Sequence, residues 1–84
     1  AMITAAELTT RITAAFPDAV IELNDLTGGL DHWQALIVSS AFEGLSPIAR
    51  HRKVYAALAE EMKGPIHALT LTTLTPNEPR PAGR

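Results

Sequence analysis

The stretch F-E-G-L-S-P-I-A-R-H-R-K-V-Y, Phe42 to Tyr55, decides how this chain folds. Phe42 is an apolar anchor, and Gly44 marks a backbone turn in which a missing Cβ permits positive φ. Ser46 offers a side-chain oxygen as N-cap. Pro47 takes the first helical position, where its absent N–H would have been unpaired in any case. The spacing predicts a helix from Pro47 to about Lys63, with Ile48, Tyr55, Leu58 and Met62 as its buried stripe and Ala59 beside them. Glu60 and Glu61 are expected on the opposite side with Arg50 and Lys53. Gly64 as the residue after the C-cap and Pro65 as a stop end the helix. Arg50, His51, Arg52 and Lys53 form the one dense basic cluster in the sequence.

Upstream, Thr4 to Phe16 predicts a first helix. Thr4 and Glu7 make a capping box, and Leu8, Ile12 and Ala15 or Phe16 recur at helical spacing. Pro17-Asp18 stops it. Val20 to Asn24 predicts a short strand, the paired glycines Gly28-Gly29 a turn, and His32 to Ser39 a second strand antiparallel to the first. Trp33, Ala35 and Ile37 share one face of that second strand, and His32, Gln34, Leu36 and Val38 the other. Both parities become apolar toward its end, which predicts a central position in the sheet. Ile66 to Thr73 predicts the last strand, with His67, Leu69 and Leu71 alternating against Ile66, Ala68, Thr70 and Thr72 and the threonine-rich face open to water. The order is α-β-β-α-β. Two helices covering a single three-stranded sheet make a two-layer α+β domain.

Composition narrows the functions available. A chain of 84 residues is one domain, expected over residues 3–76, with residues 77–84 as a flexible tail too polar and too rich in proline to fold. Ala1 ahead of Met2 reads as a cloning remnant. A net charge of −2 gives no global pull toward nucleic acid, so such binding would need a local patch. The sequence has no cysteine, which excludes a disulfide framework, a thiol nucleophile and any metal site built on the chain's own thiolates. No apolar run approaches the ~20 residues of a membrane span and no signal peptide is visible, so a soluble cytoplasmic protein is expected.

Nothing in the spacing suggests an enzyme. There is no Ser-His-Asp arrangement, phosphate loop or close carboxylate pair, and Gly28-Gly29 lacks the rest of a dinucleotide fingerprint. Histidines are the remaining chemistry. His67 follows the Gly64-Pro65 break and is either a rim histidine or, as a neutral imidazole, a metal ligand. One histidine cannot hold a metal. His32, where the glycine turn enters its strand, is the second candidate, and the two meet at one sheet edge if their strands are neighbours. His51 lies only partly on the expected buried stripe and reads first as a packing residue. Arg50, Arg52 and Lys53 read first as solvated or ion-paired side chains, and otherwise as phosphate or partner contacts at a helix N-terminal turn.

These pieces together resemble the BolA family. The likeness rests on Phe42–Tyr55, on L-A-E-E-M at Leu58–Met62, on I-H-A-L at Ile66–Leu69 and on L-T-P at Leu74–Pro76, with D-H-W and I-V-S-S upstream, and covers roughly Ala5 to Pro76. It implies an α-β-β-α-β fold with a three-stranded mixed sheet of type II KH-like topology and a further C-terminal helical turn. Asn77-Glu78-Pro79 stands where many relatives carry an aromatic residue, so that turn is expected to be short. The loop before His32 is also short and lacks the cysteine of one subgroup, which puts the chain closer to the histidine type.

What the resemblance implies for function is partnership with a monothiol glutaredoxin and a bridging [2Fe-2S] cluster, used in iron–sulfur trafficking or iron and redox signalling. The position of His67 is the family's cluster ligand, with His32 as the second; the glutaredoxin cysteine and glutathione would complete the set of four. Each imidazole must be neutral to bind, so cluster retention is expected to weaken on acidification. The isolated chain, as a monomer or weak homodimer, is expected to bind no cluster alone. The alternative is a DNA-binding transcriptional regulator using Arg50, His51, Arg52 and Lys53, as some relatives are described. Against it stand the acidic net charge and the absence of a KH-type G-x-x-G clamp, since Gly44 is followed three residues on by Pro47.

Overall fold

A computed structural model describes residues 2–80; Ala1 and residues 81–84, the end of the expected tail, lie outside the described residues. The elements are α1 (Ala5–Ala15), β1 (Val20–Asp25), β2 (His32–Val38), a 3-10 turn (Ser40–Phe42), α2 (Pro47–Ala57), α3 (Ala59–Lys63) and β3 (Ala68–Leu74). β1 and β2 pair antiparallel, from Val20 opposite Val38 to Asp25 opposite Trp33. β2 and β3 pair parallel, from His32 opposite Ala68 to Val38 opposite Leu74. The sheet order is β1-β2-β3, so β2 is central as its two-sided apolar end predicts, and the mixed α+β sheet is as expected.

The core lies between the helices and one sheet face. Leu8, Ile12 and Phe16 descend one side of α1 at intervals of four and are fully buried, while exposed Ala15 is not part of that row. They pack with Trp33, Ala35 and Ile37 of β2, with Phe42, and with Val54, Leu58 and Ile66. The Phe16 and Phe42 rings meet with centroids 5.2 Å apart at 52°. α1 starts as the capping box requires: Glu7 N–H donates to Thr4 Oγ1 (3.1 Å) and Thr4 N–H to Glu7 Oε1 (3.0 Å).

Asp18, just past α1, fastens that helix to the end of β2. It accepts from Ser39 Oγ at 2.6 Å and from the Ser40 amide and hydroxyl at 2.8 and 2.7 Å. These hydrogen bonds, Ser39's first, hold its carboxyl at about 2. Ser39 is buried and accepts in turn from Ala41 N–H, capping the 3-10 turn that carries Phe42 into the core.

The long helix departs from expectation in three ways. It is not continuous: Leu58 takes φ −106°, ψ 20°, and divides α2 from α3. Its inward row keeps the expected Leu58 and Met62 but runs through Val54 in place of Tyr55 and Ile48. Val54 and Leu58 are fully buried with Ala57 and Met62 partly so, whereas Ile48 is 65% and Tyr55 39% exposed and Ala59 is exposed too. One residue is about 100° of helix, so a row through Val54 cannot also hold Tyr55. Tyr55 lies instead toward β3, its hydroxyl donating to Leu69 O at 3.2 Å. Finally, the stop does not use a left-handed glycine. Gly64 has φ −131°, and the Glu61 carbonyl takes both the Gly64 and Ile66 amides before Pro65 lets the chain leave.

β3 starts two residues later than expected, so strand alternation does not govern Ile66 and His67. Ile66 is buried and His67 exposed, the reverse of their parity with Leu69 and Leu71. Thr73 joins the inward face of β3, leaving Thr70 exposed and Thr72 half-buried. Phe42 sits where α1, β2 and α2 converge. Phe42→Ala is expected to lower the unfolding free energy by about 3–5 kcal/mol, measured by urea denaturation at unchanged m-value.

Candidate functional site

The parallel register of β2 and β3 brings together His32, which begins β2, and His67, the residue just ahead of β3. The His32 and His67 rings lie with centroids 4.9 Å apart at 50°. His67 is exposed and the His32 side chain is 35% exposed, so both edges of the pair face water. The glycine loop carries His32 into place. Asp25 Oδ1 accepts from the Gly28 and Leu30 amides at 3.0 and 3.3 Å, and Gly28 adopts the left-handed φ of +80° that its missing side chain allows. Leu30 at φ +58° is the one non-glycine residue with positive φ among the described residues. Its side chain packs against the core and its carbonyl accepts from Ile3 N–H, which offsets that strain. Leu26 N–H to His32 O at 2.9 Å closes the loop's base.

Asp31 connects the two histidines, although it is not among the candidate ligands that the sequence offers. Its carbonyl accepts from the backbone amides of His67 (2.8 Å) and Ala68 (3.2 Å). Its carboxylate Oδ1 lies 2.8 Å from His32 Nδ1 and accepts from Thr27 Oγ1 at 3.4 Å. The His32 contact, first among several causes, holds the Asp31 carboxyl below its ordinary range. The only sequence signal was the acidic residue directly before the histidine at a strand start.

The described residues contain no group of three or more His, Cys, Asp or Glu side chains disposed to hold a metal. The donor set that remains is two adjacent imidazoles, with no thiolate in the chain. That set suits half of a shared coordination sphere and does not suit a closed four-ligand site of the chain's own.

Arg50 leaves the basic surface expected of it. It stands one turn before Val54 on the inward row, its side chain is 12% exposed, and all three of its guanidinium nitrogens donate hydrogen bonds. Nε donates to Leu45 O at 3.0 Å and Nη1 to Thr73 O at 3.3 Å, while Nη1 and Nη2 grip Glu78 at 2.7 and 3.1 Å. Glu61 is likewise inward at 13% exposure and pairs with Arg11 of α1, not with the basic turn. Arg52 and Lys53 are exposed and His51 half-buried. The Arg50 clamp ties down the start of the C-terminal stretch. Thr75 N–H donates to Glu78 Oε1 at 2.8 Å and Glu78 N–H to Thr75 O at 3.1 Å, one turn that Pro79 prevents from growing. Beyond it, Arg80 pairs with Glu22 of β1.

A mixed three-stranded sheet covered by helices, with an imidazole pair at one end, makes a small α+β domain. The chain belongs to the BolA-like protein family, whose pattern matches residues 12–78. It is 45% identical to BolA-like protein 1 of Homo sapiens over 78 residues, covering 84% of this chain and 57% of that protein. The chain thus spans little more than half the length of such relatives. It is also 45% identical over 51 residues to a protein of Vibrio cholerae named DNA-binding transcriptional regulator BolA, covering 61% of this chain and 48% of that one. Among solved structures, BolA1 from Arabidopsis thaliana superposes with a TM-score of 0.81 at 29% identity, covering 90% of this chain and 95% of that one. Among the described residues no helix is long and apolar enough to cross a membrane.

The Glu78 carboxyl is held at about 2 against an ordinary 4.5, first by its hydrogen bond from Arg50 and then by the Thr75 amide. A folded value below the unfolded one contributes stability above about pH 4.5 that is lost as pH falls toward 2. Glu78→Gln is therefore expected to be less stable than the parent at neutral pH, with the gap closing between about pH 4.5 and 2. Urea unfolding across that range checks it, and a gap independent of pH would contradict an ionic clamp.

Proposed function

We propose that this chain partners a monothiol glutaredoxin and presents His67 and His32 to a [2Fe-2S] cluster held between the two proteins, as cargo or signal in iron–sulfur trafficking. The observation that carries this is the 4.9 Å imidazole pair in a chain without cysteine. Iron of a [2Fe-2S] unit takes two imidazoles in place of two thiolates when the other iron keeps its sulfur ligands, and the cluster supplies one-electron chemistry and transferable iron. The glutaredoxin cysteine and a glutathione thiolate supply those sulfurs. The chain's own task is to hold two neutral donors at a water-facing edge where a second protein can approach. His67 suits the outer position: its backbone is tied to Asp31 while its ring stays exposed. In this reading the chain's role is to bind the cluster through its imidazoles and hand it over.

Mixing the protein with cluster-loaded monothiol glutaredoxin is expected to change the visible absorption and circular dichroism, and His67→Ala to abolish the change. An unaltered spectrum with the parent protein would overturn the proposal. His67→Ala keeps the amide that bonds Asp31, so its loss of signal is separable from unfolding.

The name of the Vibrio cholerae relative favours a second function, DNA binding through the basic turn. With Arg50 committed to Glu78, that surface rests on Arg52 and Lys53. Two phosphate contacts give a slope of log affinity on log salt of about −2. The Arg52→Ala, Lys53→Ala double variant should lose that dependence, and equal binding by parent and variant at every salt concentration rules the surface out.

A further inference from the structure

We propose that Asp31 is the positioning residue of the histidine pair: its carboxylate fixes the His32 ring so that Nε2 is the donor atom, while its carbonyl fixes the backbone of His67. A neutral imidazole carries one N–H and one lone pair, and the nitrogen that donates a hydrogen bond determines which nitrogen is left to bind. An ionised carboxylate only accepts. With Asp31 Oδ1 2.8 Å from Nδ1, the proton resides on Nδ1 and the lone pair on Nε2. The negative charge behind the ring also makes Nε2 a stronger donor. Through its main chain the same residue accepts from His67 N–H at 2.8 Å and Ala68 N–H at 3.2 Å, so displacement of Asp31 would move both imidazoles together.

The loop is shaped to keep that carboxylate in place. Thr27 Oγ1 donates to the same Oδ1. A Cβ at Gly29 would stand 3.1 Å from Oδ1 and 3.5 Å from Thr27 Oγ1, so the glycine leaves the carboxylate its room. The left-handed Leu30 immediately before Asp31 turns the chain so that carbonyl and carboxylate serve different histidines. The two histidines alone would define a pair of donors; Asp31 makes the pair oriented. This extends the proposed cluster role and rests on it for the identity of the ligand, but the tautomer stands apart from it.

The experiment has two arms. In the protein without cluster, two-bond proton–nitrogen correlation NMR at a pH where the rings are neutral reads the His32 tautomer directly. The expected result is Nδ1–H in the parent, with Asp31→Ala shifting the population toward Nε2–H and Asp31→Asn, whose amide oxygen still accepts, retaining more of the parent form. Both variants keep the Asp31 carbonyl, and the amide spectrum monitors the fold. An Nε2–H tautomer in the parent, or a tautomer unmoved by Asp31→Ala, overturns the proposal; should Asp31→Ala unfold, the parent tautomer still decides it.

In the second arm each protein is mixed with cluster-loaded monothiol glutaredoxin. Asp31→Ala is expected to hold the shared cluster about 10-fold more weakly, the usual effect of removing a partner behind a ligating histidine. Equal retention by parent and variant overturns the proposal while leaving the glutaredoxin partnership standing. A parent that takes no cluster defeats the partnership, and the tautomer arm then judges Asp31 alone.

Discussion

Parallel pairing of β2 with β3 obliges the chain to leave the sheet at Val38 and return to its opposite end at Ala68, since parallel neighbours cannot be joined by a tight turn. α2 and α3 are that return path. Their inward residues Val54 and Leu58 cover the face that Trp33, Ala35 and Ile37 present. The same pairing gives the site. Residues that start two parallel strands lie at one end of the sheet, and here they are His32 and, just ahead of β3, His67. Core and site are consequences of one register.

Charge organises the helix that makes the crossing. Its inward row runs from Arg50 through Val54 and Leu58 to Glu61, apolar in the middle and ionic at both ends. Each end is paired away from its own helix, Arg50 with Glu78 and Glu61 with Arg11. A charge on an inward row is tolerated only with a partner and its remaining hydrogen bonds satisfied. Arg50 meets that condition with two backbone carbonyls and a bidentate carboxylate, which suits the planar guanidinium better than the point charge of a lysine. The dense basic cluster in the sequence is thereby divided: one member is an internal tie, and Arg52 and Lys53 face water.

At the histidine edge the chain offers an incomplete donor set held with care. Two imidazoles without cysteine do not close a metal site, and the described residues add no third ligand. Yet both are anchored through Asp31, one by its ring and one by its backbone. Groups ordered in the folded chain need not be ordered again when another molecule binds there.

Much of the fold was legible in local signals. The Thr4–Glu7 capping box, the Ser46-Pro47 start, the two-sided apolar β2 and the α-β-β-α-β order follow from side chains acting on their own backbone or on neighbours a turn away. Where two adjacent residues can both be buried, local rules fail. Val54 and Tyr55 both suit a buried row, and contact with the sheet selected valine. Arg50 reads as a surface cation because its partner Glu78 is distant in sequence, and the tie from Asp31 to His67 escapes local rules because it forms only when β3 docks. By itself the sequence determined the order of the main helices and strands, and offered His32 and His67 as candidate metal donors. Tertiary structure alone decided that they face each other and that an aspartate holds both. Strand register, a long-range quantity set by the packing of the sheet's covered face, is what joins them.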